Sequence, residues 1–87
     1  MRKQYEETLK SFFHESLFRR RNELGLTQEE TAYRLAMNSR SYIELDHGKS
    51  NCSSLTLARF LIYLCDDPLL FLNKLRHAFE NKESNAA

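Results

Sequence analysis

The stretch "LTQEETAYRLAMNSRSYIELDHGKS", Leu26 to Ser50, decides how this chain of 87 residues is read. Thr27 followed three residues later by Glu30 is the capping-box pattern, in which each side chain satisfies a free backbone N–H of the other. It starts a short helix over Gln28–Leu35 with Ala32 and Leu35 turned inward. Asn38 or Ser39 supplies the cap of a second helix ending near Asp46, before Gly48. Tyr42 and Leu45, three apart, set one face of that helix on the core and leave Ser39, Arg40, Ile43 and Glu44 pointing outward. Met37 plugs the turn between the helices, and Gly48 lets the chain reverse without a Cβ clash.

Working outward, Tyr5, Leu9, Phe12, Phe13, Leu17 and Leu24 recur at helical spacings and predict helix 1 from about Gln4 to Leu24. Gly25 stops it, and "RRR" (Arg19 to Arg21) forms a basic last turn that suits a helix C-terminus. Ser53 caps a fourth helix, "SLTLARFLIYLC", whose apolar residues occupy nearly its whole circumference and predict a buried central helix. Asp66-Asp67-Pro68 starts a fifth, reaching about Lys82, with "ESNAA" as a frayed tail. No repeat, linker or low-complexity tract divides the chain. One domain over residues 1–87 is expected, with its motif core at 26–50, an N-terminal extension at 1–11 and a C-terminal helix at 67–82.

The totals agree with an all-α fold. Two Gly, one Pro and no alternating apolar run leave little for strands and their turns, while 41% hydrophobic residues with six Phe and four Tyr suffice for one core. Thirteen Lys plus Arg against 12 acids give a net charge of +1, so composition by itself does not point to nucleic acid. Cys52 and Cys65 fall at the two ends of helix 4, about 20 Å apart at the helical rise, too far for a disulfide. His14, His47 and His77 are scattered, no Cys/His cluster has metal-ligand spacing, and neither metal nor cofactor is expected. Paired carboxylates, a nucleophile beside a base and a Gly-rich phosphate loop are all missing, so an enzyme is not expected. The N-terminus "MRKQYEETLK" is charged and has no apolar signal-peptide region, and the runs "LIYLC" and "LLFL" fall far short of the roughly 20 residues of a membrane span. The expectation is a soluble intracellular protein.

The run "GLTQEETAYRLAMNSRSYIELDHGK" resembles the helix-turn-helix domains of the lambda-repressor/Cro-like (Xre) family. The spacing of Gln28, Ala32, Leu35, Leu45, Asp46 and Gly48 needs no gap, and Arg21, Thr56 and Leu57 fall in the same register. The resemblance implies a compact five-helix lambda-repressor-like domain, here with an extended N-terminal helix. It also implies an ion pair between Arg21 and Asp46 that fixes helix 3 against helix 1. Helix 3 would lie in the major groove. By position, Ser39, Arg40 and Glu44 would read bases, with Arg40 donating two bonds to guanine. Gln28, Asn38, Ser41, Lys49, Ser50 and Asn51 would meet the DNA backbone. Arg20 stands where the family has a core aliphatic, so either its stem snorkels or helix 1 is rotated.

The implied function is a sequence-specific DNA-binding transcriptional regulator, repressor-like, cytoplasmic and nucleoid-associated in a bacterial or phage-like setting, with double-stranded DNA as partner and no small-molecule ligand. Two features pull the other way. From Leu26 to Asn51 three cations (Arg34, Arg40, Lys49) face four acids (Glu29, Glu30, Glu44, Asp46), and Ile43 stands on the outward side of helix 3. The alternative is a protein-interaction module of the same fold. The apolar surplus of helices 4 and 5 needs a cover. That is either residues 1–11 folding back through Tyr5 and Leu9, or a second copy, and the homodimer, reading an inverted repeat, is the expectation carried forward. Its seam would use Leu69, Leu70, Phe71, Leu72, Leu75 and Phe79.

Overall fold

Five α-helices follow one another in the computed structural model: α1 (Arg2–Leu24), α2 (Gln28–Arg34), α3 (Ser39–Asp46), α4 (Ser54–Tyr63) and α5 (Pro68–Ala86). The structure describes residues 2–86, with side chains to residue 81. Each short helix starts where a side chain meets its free amides. The Thr27 hydroxyl accepts from Glu30 N at 3.1 Å while Glu30 Oε1 accepts from Thr27 N at 3.2 Å, closing the capping box of α2. Asn38 Oδ1 accepts from Ser41 N at 2.8 Å at the head of α3, and Ser53 Oγ accepts from Thr56 N at 3.1 Å at the head of α4. Asp67 Oδ1 does the same for Leu70 N at 3.1 Å, ahead of Pro68 in the first turn of α5.

The first three helices end alike. The two residues beyond each cap return their N–H groups to the last turn: Gly25 to Asn22 and Leu26 to Arg21, Ala36 to Tyr33 and Met37 to Ala32, Gly48 to Leu45 and Lys49 to Glu44. This double bond needs a left-handed residue at the first position. Gly25 and Gly48 supply it at φ 66° and 73°, whereas at the end of α2 an alanine is held at φ 56°. No Cβ clash is involved: at Gly48 a Cβ would make ordinary contact with the His14 ring at 3.5 Å and at Gly25 it would meet nothing within 4 Å, so the positive φ alone calls for glycine.

One core joins all five helices through Phe13, Leu17, Ala32, Leu35, Tyr42, Leu45, Phe60, Leu64, Phe71 and Leu75. Aromatic rings run through it edge to face: Phe13 on Phe60 at 5.2 Å, Phe60 tilted against Phe71 at 5.4 Å, and Phe71 on Phe12 at 5.1 Å. Outside this line, Tyr5 meets Phe79 at 5.2 Å, so the first turns of α1 lie along α5. No helix among the described residues is long and apolar enough to cross a membrane.

Several expectations are corrected. Helix 4 is not buried all round: Thr56, Phe60 and Leu64 face the core, but Leu55, Ile62 and Tyr63 are 63, 69 and 56% exposed. It also ends two residues early, because Cys65 N turns back to Phe60 O at 2.8 Å. The six apolar residues expected at a dimer seam divide. Phe71 and Leu75 are buried in the chain's own core and Phe79 packs under Tyr5, leaving only Leu69, Leu70 and Leu72 exposed. The N-terminal extension covers Phe79, through Tyr5, and not Leu69, Leu70 or Leu72. Leu24, expected on the inward stripe, is 38% exposed. Helix α1 starts at Arg2 instead of Gln4, α2 stops at Arg34 with Leu35 as its cap, and α5 runs past Lys82 to Ala86, no Gly or Pro being present to stop it.

The left-handed Ala36 carries a steric cost of about 1–2 kcal/mol that glycine escapes. Ala36→Gly is expected to stabilise the fold by about 1 kcal/mol after the added entropy of the unfolded chain is subtracted. A denaturant titration checks this. A lower midpoint for the variant would mean that Ala36 is not strained.

Candidate nucleic-acid interface

The outward face of α3 depends on what holds its inward face. The carboxylate of Asp46, 8% exposed, gathers groups from three helices. Tyr42 Oη, one turn back on α3, donates to Oδ1 at 3.2 Å, and Gln28 Nε2, from the first turn of α2, donates to Oδ2 at 2.9 Å. Arg21 Nε, from α1, stands 3.6 Å from Oδ1, an ion pair without a hydrogen bond. The Arg21 guanidinium also reaches back to the Leu26 carbonyl at 3.4 Å. A buried carboxylate is tolerable only when charge and hydrogen bonds replace its lost water, and these three groups do so. Burial above all, and then the negative charge of Asp46, push the Tyr42 phenol up to about 12.

With Tyr42, Leu45 and Asp46 inward, Ser39, Arg40, Ser41, Ile43 and Glu44 are exposed. Lys49 is exposed just beyond the helix, and Ser50 is half-buried. A shallow hollow between α2 and α3 is lined by Gln28, Glu29, Ser39, Tyr42 and Ile43. Gln28 has one amide N–H committed to Asp46 and one left for a ligand. Asn38 spends its carbonyl on the cap of α3 and keeps its amide nitrogen. Asn51 is engaged at both ends: Nδ2 donates to the Glu6 carbonyl at 2.9 Å, and Oδ1 accepts from Cys52 N at 2.8 Å. It therefore ties the loop after α3 to the first turns of α1, which sequence reasoning did not foresee.

The basic turn of α1 splits three ways. Arg21 faces α3, as described, and Arg19 lines a cleft beside Asp66, Asp67 and Lys74. Arg20 snorkels, its Nε donating to the Leu64 carbonyl at 2.6 Å at the end of α4 while a terminal nitrogen lies 3.8 Å from Glu23. Arg59 acts similarly on α2, donating to the Arg34 carbonyl at 3.0 Å. Neither use was legible, although an arginine in a core aliphatic's place was the one signal for Arg20. Cys52 and Cys65 are both free thiols, and burial raises the Cys52 pKa, away from the thiolate that nucleophilic chemistry requires. No group of three His, Cys, Asp or Glu among the described residues could hold a metal ion. The chain matches no protein-family model, no curated protein and no solved structure.

Asp46→Ala strands the Arg21 charge and frees Tyr42 and Gln28, with an expected cost of about 3–5 kcal/mol. An unchanged melting temperature would discard the node. The phenol gives a second check. A folded-state pKa of about 12 against an unfolded 10.0 adds stability that is complete below pH 10 and is lost as pH rises through 12. Tyr42→Phe should lack this loss in denaturant titrations across that window, relative to wild type at each pH.

Proposed function

We propose that the chain is a small sequence-specific DNA-binding regulator with a lambda-repressor-like arrangement, α2 and α3 forming its helix-turn-helix and α3 entering the major groove. The observation that carries this reading is the division of α3. Its inward side is fixed to α1 and α2 through Asp46, while Ser39, Arg40 and Glu44 stand exposed together on the other side. A short helix held rigidly with its polar side free is what base reading requires. Arg40 is the base-reading residue of greatest weight, because a guanidinium donates two parallel bonds to guanine O6 and N7. Lys49 and the free N–H of Gln28 meet phosphates. Few cations flank them, so the domain needs a second copy to bind tightly, and Leu69, Leu70 and Leu72 of α5 are the exposed part of the expected seam. Two copies would read half-sites of an inverted repeat about 34 Å apart.

A second reading has its own support. Ile43 is 41% exposed in the middle of the same face, between Glu29 and Glu44 in a region of net negative charge. Phosphate repels such a surface, and a protein partner does not.

Selection from randomised duplexes at moderate salt separates the two. Wild type is expected to enrich a palindrome, and Arg40→Ala to lose preference at one guanine of each half-site, worth about 1–3 kcal/mol of discrimination. No enriched palindrome for wild type would turn the assignment to the protein-interaction module. Sedimentation at high micromolar concentration tests the homodimer, and a species of only 10.3 kDa would remove it.

A further inference from the structure

A groove between the end of α2 and the outer side of α4 is lined by Tyr33, Arg34, Ala36, Met37, Arg59 and Tyr63. Two features set it apart from ordinary surface. Tyr33 is 84% exposed and Tyr63 56%, with Ile62 beside it at 69%. Two aromatic rings so unprotected on one groove form an apolar edge of the kind that marks interaction sites. Arg59 is held in one orientation, because Nε is bonded to the Arg34 carbonyl at 3.0 Å and the guanidinium lies 4.7 Å from the centre of the Tyr63 ring. Its two terminal nitrogens, free of hydrogen bonds among the described residues, present the fork that a carboxylate accepts. The floor of the groove is set by Ala36 at φ 56°, the left-handed residue that ends α2, and by Met37.

We propose that this groove docks a protein partner through a short acidic segment, with one carboxylate on Arg59 and Arg34 and an adjoining apolar side chain between Tyr33 and Tyr63, over Met37. Charge selects the occupant. No acid lines the groove itself; Glu29 and Glu30 share the neighbouring hollow with Tyr33 and Arg34, and Glu30 has its carboxylate turned to the Thr27 amide at 3.2 Å. A second copy fits poorly, since pairing this face with itself sets Arg34 and Arg59 against their own counterparts. Single-stranded nucleic acid stacks on aromatics but also needs a run of cations along its backbone, and two do not make one. Tyr and Arg, by contrast, are the side chains that dominate protein-interface energy when held rigid. Docking here does not depend on α3 meeting DNA.

Random peptides displayed on phage and selected on the full chain test this, with enriched peptides measured by fluorescence anisotropy against wild type, Tyr33→Ala and Arg59→Lys. The enriched sequences should pair Asp or Glu with Leu, Phe or Tyr. Tyr33→Ala should weaken them by about tenfold, with unchanged melting because the side chain is almost wholly exposed. Arg59→Lys keeps the charge but loses the two parallel bonds, so it should weaken them severalfold. Absence of enrichment, enriched peptides lacking acids, or full affinity for both variants would overturn the proposal. So would a single-stranded oligonucleotide that displaces the peptides, or a wild-type dimer that Tyr63→Ala dissociates.

Discussion

A single buried carboxylate holds three helices of this protein in register. Asp46 takes a hydrogen bond from α2 through Gln28, one from its own helix through Tyr42, and an ion pair from α1 through Arg21. Geometry follows from electrostatics. A charge with so little solvent must find compensating groups, and each of them lies on an element that can occupy only one position when the bond is made. The rotation of α3 about its own axis is fixed in this way, and that rotation decides which side chains are outside. Arg40 and Glu44 are exposed because Tyr42, Leu45 and Asp46 are not.

The same economy explains why so few cations are left for a ligand. Arg21 neutralises Asp46, Arg20 closes the carbonyl of Leu64, the cap of α4, and Arg59 closes the last carbonyl of α2. Helices this short leave free carbonyls for a large part of their length, and arginine reaches them from a neighbouring helix while its stem covers apolar surface. Cations counted along the sequence thus overstate the charge offered outward. Any polyanion meeting the α3 face would feel chiefly Arg40 and Lys49, set against Glu29 and Glu44.

Local chemistry was legible in the residues themselves, and of the distant chemistry only the Arg21–Asp46 pair was, through the resemblance. The capping box of Thr27 and Glu30, the caps at Asn38 and Ser53, and the glycine stops at Gly25 and Gly48 all act within four residues of one another. Composition and periodicity suffice to find them. The sidedness of α4 and α5 lay beyond that reach. Leu55 and Ile62 are as apolar as Phe60 and Leu64, and only tertiary neighbours, such as Phe13 of α1 and Phe71 of α5 against Phe60, decide which of them is covered. Arg20 gave a hint by its place, but its partner is 44 residues away. Ala36 gave none, because alanine favours a helix and the left-handed conformation is imposed by the double bond that ends α2. Within the candidate site, the exposed set on α3 followed from helical spacing. The second use of Gln28 and the tie between Asn51 and α1 required tertiary neighbours.

Helix α2 shows how the two surfaces are related. It has seven residues, too few to be stable as an isolated helix, so its position is set by what grips its ends. At the N-terminus the grip is the Thr27–Glu30 box and the bond from Gln28 to Asp46; at the C-terminus it is Arg59 on the Arg34 carbonyl and the tight turn at Ala36. The first pair borders the hollow against α3 and the second borders the groove against α4. A ligand on the terminal nitrogens of Arg59 leaves its bond to the Arg34 carbonyl in place and so holds one end of a helix whose other end orients α3. Coupling between the two surfaces, in either direction, would therefore pass through the placement of α2.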